Sequence, residues 1–396
     1  MRNHDESVST PRGMTPATRR QFIGMSARAS ALAVALPASR ALAGVDRARS
    51  ANVPSGRAPR ALRLLILGGT GFIGPHQVRY ARDRGHVVTL FNRGRTNPGL
   101  FPEVETLYGD RATGSYDALR GRDWDVVVDN SATLPRWVRE AARALTGHVK
   151  QYVFVSTISV YASDNVPDAD ETASVATTSE PDSEDVRRLY GPLKALAERE
   201  AEGAFPGNAT VLRPGLIVGP GDLTDRFTYW PVRLARGGEV LAPGTPVDPV
   251  QIIDARDLAE FTIKVCEEGT RGVYNCLGPQ SPLTMGEMLG AIRGAMSTDA
   301  YLTWVPADFL AAHKVRPWID LPVWLPPRGR TAGFARRSNR RAVEKGLTFR
   351  ALAETATATL EFYDAQPDDR KAQLRAGLPL AREKEVLAAW HAREKK

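Results

Sequence analysis

The sequence predicts an α/β fold built on a doubly wound parallel sheet, and three observations carry that prediction. Short apolar runs alternate with helix-patterned stretches between residues 62 and 202, an order that sets parallel strands side by side with crossover helices on their faces. The run 124–129 is dominated by apolar residues, as strands covered on both faces are. A glycine-rich turn, Gly68-Gly69-Thr70-Gly71-Phe72-Ile73-Gly74, joins the first run to the first helical stretch.

Taken in order, residues 62–67 read as a buried strand. The glycine turn then opens a helix over 75–84, with Pro75 in the first turn, where its missing N–H is no loss. Strand, glycine turn and helix N-terminus together make a phosphate site. Glycine lets the backbone come close to a pyrophosphate, and the unpaired N–H groups and helix dipole favour negative charge. Such turns also arise for steric reasons, so the spacing Gly68-x-x-Gly71-x-x-Gly74 gains its weight from the strands and polar loops C-terminal to it. Residues 86–91 read as the second strand and run into Asn92-Arg93-Gly94-Arg95. A carboxylate here would accept from the ribose 2′-hydroxyl of NAD, whereas a cation accommodates the 2′-phosphate of NADP. Arg93, with Arg95 in support, therefore points to NADP, with NAD as the alternative. Residues 103–108 read as the third strand, closed by Gly109-Asp110-Arg111, where folds of this kind meet the adenine. Residues 124–129, the fourth strand, run into Asn130-Ser131-Ala132 at the carboxyl edge of the sheet, where ligands of open α/β sheets lie. Residues 115–120 and 135–145 read as helical.

The fifth strand, 151–155, ends in Ser156-Thr157-Ile158-Ser159-Val160-Tyr161. Residues 164–185, rich in Asp, Glu, Ser and Thr, read as a mobile flap or a substrate-side insertion. Tyr190 and Lys194 come next, at the start of a helical stretch leading into 195–202. Four apart, they share one face. A phenol, with its ordinary pKa of about 10, is a poor proton carrier at neutral pH. An adjacent ammonium stabilises the phenolate and makes it a usable general acid and base. Thr157, at the end of the neighbouring strand, can hold a substrate oxygen in line. Tyr and Lys at this spacing also occur as ordinary surface pairs.

Composition sets the frame. The chain has 396 residues, 42% of them hydrophobic, and a formal net charge of +8. Residues 1–60 hold ten arginines against Asp5, Glu6 and Asp46, a balance of +7 that leaves +1 for all the rest. The body is nearly neutral and gives no argument for a nucleic-acid partner. Within the leader, Thr18-Arg19-Arg20-Gln21-Phe22-Ile23 resembles a twin-arginine export signal. A small-residue apolar stretch, 29–38, and an Ala41-Leu42-Ala43 cleavage-like site come after it. Residues 1–43 thus read as a leader engaging the twin-arginine export machinery and 44–60 as a linker, giving a periplasmic or extracellular protein; without a working leader the protein is cytoplasmic. The two cysteines, Cys266 in a helical and Cys276 in a strand pattern, read as buried free thiols, with one disulfide after export as the alternative. Nothing in the sequence has metal-ligand spacing. The cluster Arg336, Arg337, Arg340 and Arg341 reads as a solvated helix face. Trp304, Trp318 and Trp324, among prolines, read as a packed cap on the substrate side, and 381–396 as one charged amphipathic helix.

Glycine turn, serine/threonine loop and Tyr-x-x-x-Lys, in this order, resemble the extended short-chain dehydrogenase/reductase family of NAD(P)-dependent epimerases and dehydratases. The matching residues are Gly68 to Gly74, Ser156 to Tyr161, Tyr190 with Lys194, Arg213-Pro214 with Gly219-Pro220, and Ser338 to Ala342 with Gly346. The resemblance spans roughly residues 62–365. It implies a Rossmann-type core over 61–213, remaining core strands interleaved with a smaller substrate-binding subdomain over 214–365, and a charged helical tail over 366–396. It also implies a catalytic set of Thr157, Tyr190 and Lys194. Cofactor contacts would come from Gly68, Gly71, Phe72, Ile73, Gly74, Arg93, Asp110, Arg111, Asn130 and Lys194. The expected chemistry is hydride transfer at a hydroxyl or carbonyl carbon of a small-molecule substrate, with a homodimer among the assemblies this family forms. Leu216 and Val218 replace the Asn and Tyr common in nucleotide-sugar members, which argues against that substrate. Two other readings stand beside this one: an NADPH-dependent net reductase, and a non-catalytic binder of dinucleotide or RNA, since chloroplast stem-loop RNA-binding proteins share a similar Gly-Gly-Thr-x-Phe-x-Gly and Asn-Arg-Gly pattern.

Overall fold

The computed structural model describes residues 56–130 and 132–393; the expected twin-arginine leader and most of the expected linker lie outside the described residues. Seven parallel strands form the central sheet in the order β10-β6-β5-β4-β1-β2-β3. They are β1 (Arg63–Leu67), β2 (Val87–Asn92), β3 (Glu105–Tyr108), β4 (Trp124–Asp129), β5 (Val149–Val155), β6 (Ala209–Pro214) and β10 (Gly272–Cys276). The chain leaves β1 for β2 and β3 on one side, then returns to β4, β5 and β6 on the other. Leu67 lies beside both Phe91 and Asp129, so the strand order reverses at the carboxyl end of β1, where the glycine turn begins. That is where an open α/β sheet leaves a crevice for a ligand.

Alternate strand residues feed two cores. Leu64, Ile66, Val126 and Val128 face helices α1 (Gly74–Asp83) and α5 (Ala255–Glu267), through Val78, Ala81, Leu258 and Phe261. Leu65, Leu67, Val127 and Phe154 face α2 (Pro135–Leu145) and α3 (Val186–Ala204). Ala141 and Ala142 of α2 and Ala197 and Ala201 of α3 keep those helices thin where they pack together. The expected helix over 115–120 is only a 3-10 turn, Asp117–Leu119. Cys266 and Cys276 are both buried and free, so the disulfide alternative does not hold; burial raises the pKa of both thiols.

Beyond β6 the chain builds a second layer around its own core. It holds β7 (Leu216–Val218), β9 (Pro249–Asp254) and β11 (Gly278–Thr284) in one sheet, and β8 (Glu239–Pro243) with β12 (Tyr301–Val305) in another. Helices α4 (Tyr229–Ala235) and α6 (Met285–Gly294), the short α7 (Ala307–Ala312), then α9 (Leu352–Asp364), α10 (Asp368–Lys371) and α11 (Leu380–Arg393) complete it, whereas the short α8 (Arg340–Glu344) packs through Ala342 against β10 of the central sheet. Trp230 and Trp324 are fully buried there, and Trp324 Nε1 donates to Asp248 Oδ2 at 2.7 Å. The terminal charged helix has a partner within the chain. Val386, Leu387 and Trp390 of α11 enter this core, and the buried Glu383 takes Arg233 Nε at 2.6 Å and the Leu241 N–H at 3.0 Å.

One surface expectation is narrowed and another corrected. Residues 164–185 are tied to the C-terminal segment by backbone bonds, Gly333 N to Asp164 O at 2.8 Å and Ser338 N to Ala169 O at 3.0 Å. Glu171 is drawn inside and accepts from the Asn275 N–H at 2.8 Å. Arg337 is no solvated helix residue either. It precedes α8, is 3% exposed, pairs with Asp164 at 2.6 Å and lies 3.9 Å over the Tyr161 ring. A cation so placed exchanges hydration for a carboxylate and an aromatic face.

Candidate active site

The glycine turn is shaped by three different demands on glycine. Gly68 has φ +90°, a backbone conformation costly for any side chain, and its N–H donates to Phe91 O at 3.0 Å. A Cβ on Gly74 would sit 2.5 Å from the Gly69 carbonyl carbon, so this glycine lets α1 pack against the turn. A Cβ on Gly71 would meet nothing within 4 Å; it would protrude into the open space over the turn. Ile73 caps α1 without a side-chain hydrogen bond, and the first turn of α1 holds no acid. The free N–H groups of this helix end are thus left for an external anion, which fits a dinucleotide pyrophosphate. Phe72 packs against Gly221. His76 Nε2 and Pro220 O are 2.9 Å apart, and burial lowers the His76 pKa to about 4. These two contacts draw the Gly219-Pro220 segment up to the turn.

The next edge holds Arg93, exposed at the end of β2, beside Gly94, where a Cβ would strike the Tyr108 ring at 2.9 Å. Asn92 Oδ1 accepts the Gly94 N–H at 2.7 Å, and Asn97 Nδ2 ties this loop to Thr70 O at 2.9 Å. Asp110 sits at the mouth of β3 and accepts the Ala112 N–H at 2.9 Å. Arg111 departs from expectation. Its guanidinium points into the sheet interior and grips Asp129 at 2.8 and 3.1 Å, with Tyr152 Oη donating to the same carboxylate. The carboxylate of Asp129 is wholly buried, so this cation is needed to neutralise it and is not free to meet an adenine. Asn130 faces α1, where Gln77 Nε2 donates to its Oδ1 at 3.1 Å.

Thr157 ends the β5 crossover. Its Oγ1 accepts the Ser159 N–H at 3.1 Å, capping a short 3-10 turn. Tyr190 stands beside Thr157, whose side chain lowers the phenol pKa, so these two expected residues meet. Helix α3 kinks at Leu189, whose φ and ψ are −118° and 22°. Tyr190 is therefore the first residue of a fresh helical segment, as the sequence suggested. Burial raises the Tyr190 pKa, and the Thr157 side chain and the charge of Arg226 lower it. Lys194 lies one turn on and directs Nζ to Ala132 O and Val155 O, each at 2.8 Å, over the Phe154 ring at 4.0 Å. Burial depresses its pKa to about 7. The cation acting on the phenol is thus Arg226, which the sequence reading did not single out. No spacing rule marks it, because it reaches the site from a different layer. Gly191 was overlooked as well: a Cβ there would lie 2.2 Å from Ser159 O.

A buried network carries this floor. Glu198, on α3, accepts Arg213 at 2.6 and 3.0 Å and the Ser156 hydroxyl. Tyr161 Oη donates to Asn275 Oδ1 at 2.6 Å and accepts from Arg213 Nη1 at 3.1 Å. The Arg-Pro and Val-Tyr residues of the sequence are thus structural supports beneath Thr157 and Tyr190.

Lys194 supplies a pH test. Its folded pKa lies below the ordinary value of 10.5, so between about pH 7 and 10.5 the unfolded chain binds the extra proton. The contribution to stability is present above the unfolded pKa and is lost as pH falls through the folded one. The melting temperature of the dinucleotide-free protein, relative to Lys194→Met, is expected to climb over that window. Parallel curves would remove the assignment.

Residues 111–276 match the NAD dependent epimerase/dehydratase family. The matched segment holds Thr157, Tyr190 and Lys194 but begins after the glycine turn. Among curated relatives, the chain is 29% identical over 234 residues to the chloroplast stem-loop binding protein of 41 kDa b of Arabidopsis thaliana, covering 54% of this chain and 58% of that protein. It is 28% identical over 287 residues to 2-alkyl-3-oxoalkanoate reductase of Stenotrophomonas maltophilia (strain K279a), covering 65% of this chain and 83% of the reductase. Among solved structures, MoeE5 in complex with UDP-glucose and NAD superposes with a TM-score of 0.52 at 20% identity, over 76% of this chain and 98% of that one. That likeness is one of fold. The family match and the reductase relative together support an epimerase/dehydratase-type, NAD(P)-dependent oxidoreductase or epimerase.

Proposed function

We propose that this protein is an NAD(P)-dependent epimerase/dehydratase-type enzyme acting at a hydroxyl- or carbonyl-bearing carbon of a small, sugar-like substrate. The observation that carries the reading is the juxtaposition of Thr157 and Tyr190, close enough for the Thr157 side chain to lower the phenol pKa, at the carboxyl edge of the sheet beside a glycine turn with free N–H groups. The nicotinamide, when bound, supplies the hydride chemistry. The backbone of Gly68 to Gly74 would hold the pyrophosphate, Arg93 the adenosine ribose with a preference for NADP over NAD, and Lys194 the nicotinamide ribose. Tyr190 Oη moves the proton at the substrate oxygen, and Thr157 Oγ1 keeps that oxygen in line.

The leader adds a constraint. Export through the twin-arginine machinery would separate the protein from the pool that regenerates NADPH, which favours a redox-neutral reaction on one retained cofactor over net reduction. The relative named as a reductase supports the net reaction as the alternative. Similarity to a chloroplast stem-loop binding protein supports a second reading, a non-catalytic RNA binder; the near-neutral body opposes it.

The test is the nucleotide released when the purified mature protein is denatured, read by absorbance and mass. Stoichiometric NADP is expected. NAD in its place would overturn the role of Arg93, and an empty protein that binds NADPH reversibly would favour the net reductase. No dinucleotide binding at all, with RNA affinity intact in Tyr190→Phe, would sink the enzyme.

A further inference from the structure

The substrate side of Tyr190 is walled by a cation that the chain positions with care. Arg226 is preceded by Asp225, a non-glycine residue at φ +60°. The Asp225 carboxylate is buried and held by Arg370 Nη2 at 2.6 Å and the Arg375 N–H at 2.8 Å. This fixes the backbone from which Arg226 projects. The guanidinium is then steered at two points: Nε donates to Thr224 Oγ1 at 3.1 Å, and Cζ stands 5.8 Å from the centre of the Trp318 ring. Trp318 is itself at φ +67°, and its ring meets Phe334 edge-on at 5.2 Å. Phe334 packs beside Ile158 and Tyr161, on the loop that carries Thr157. A continuous wall therefore runs from the Thr157 loop to Arg226, and the charge of Arg226 is felt at the Tyr190 phenol.

The terminal nitrogens of this guanidinium have no acceptor among the described residues, and no carboxylate among them forms an ion pair with it. The nearby acid is Asp222. Both of its oxygens are taken by Thr224, from the N–H at 2.8 Å and the hydroxyl at 2.9 Å, and burial raises its pKa. By contrast, three arginines buried elsewhere, Arg111, Arg213 and Arg350, each hold a carboxylate. A half-buried guanidinium with an oriented, unmet fork is a receptor for two acceptor oxygens.

We propose that Arg226 receives an oxyanion of the substrate, a carboxylate or a phosphate lying close to the carbon that Tyr190 addresses. The inference rests on the enzyme reading above and narrows its substrate class to anionic compounds. Trp318, stacked behind the guanidinium, keeps its plane fixed and its charge poorly hydrated, which strengthens the contact.

Calorimetric titration of the full-length, dinucleotide-loaded protein with two matched pairs tests it: benzoate against benzamide, and uridine monophosphate against uridine. Each pair differs in the oxyanion alone. At least one anion is expected to bind about tenfold tighter than its neutral partner, and Arg226→Gln to bring that ratio within about twofold. The pair that discriminates says whether the group is a carboxylate or a nucleotide phosphate. Arg226→Lys, which keeps the charge and loses the fork, is expected to fall between. A ratio near one for both pairs in the parent, or a preference that survives Arg226→Gln, overturns the proposal. Dinucleotide affinity is read separately: a protein that binds dinucleotide normally yet ignores the anions overturns this inference alone, while one that binds no dinucleotide overturns the enzyme reading beneath it.

Discussion

Tyr190→Phe is expected to lower turnover by roughly 10²–10⁴-fold, the range general acid–base groups supply, while leaving dinucleotide affinity close to that of the parent. The substitution removes one oxygen and retains the ring. That oxygen lies beside Thr157, which still holds Ser159 after its loss, so the floor of the site has a reason to survive. The pH profile should move as well. In the resting protein burial raises the phenol pKa, and Thr157 and Arg226 work against that rise. Removing the hydroxyl of Thr157 (Thr157→Val) withdraws one of the two lowering influences and should push the basic limb of the profile to higher pH. A Tyr190→Phe protein with ordinary turnover would remove Tyr190 from the chemistry.

Gly191→Ala is the second change with a large expected effect. The added methyl would lie 2.2 Å from Ser159 O and 3.2 Å from Ser159 C, all backbone. Neither side can yield by a side-chain rotation, so α3 or the Thr157 turn must shift. Overpacking of this kind costs about 1–3 kcal/mol. The displaced atoms are the ones that join Tyr190 to Thr157. The expected result is a lowered melting temperature together with a loss of activity far larger than the loss of folded protein, with dinucleotide affinity retained because the glycine turn lies on another element. Gly203→Ala, on the same helix where a Cβ meets nothing within 4 Å, is the matched control and should leave both readouts unchanged. Equal behaviour of the two variants would refute the close approach at Gly191.

These expectations separate what sequence alone could supply from what only folding could. Strands β1, β2, β4 and β5, helices α1 and α2 and the glycine turn were legible because each is governed by neighbours: runs of apolar residues, a proline in a first turn, glycines where the backbone must turn or approach. Tyr190 and Lys194 were legible for the same reason, since a helical face is a local property. The charged residues were not. Arg111 pairs with Asp129, Arg337 with Asp164 and Arg213 with Glu198. An arginine on a loop has the same local signature whether it ends in water, against a phosphate or in a buried pair. The free energy that decides among these comes from a partner and a dielectric that only the packed chain provides. Lys194 and Arg226 show this most directly. The local pattern placed an ammonium beside the phenol, but packing set that ammonium on two carbonyls and brought a guanidinium from the second layer to Tyr190 instead. The sequence by itself determined the sheet, the glycine turn and the shared helical face of Tyr190 and Lys194; the tertiary structure decided which cations come near that phenol, because charge acts across space and the order of residues does not record the distances.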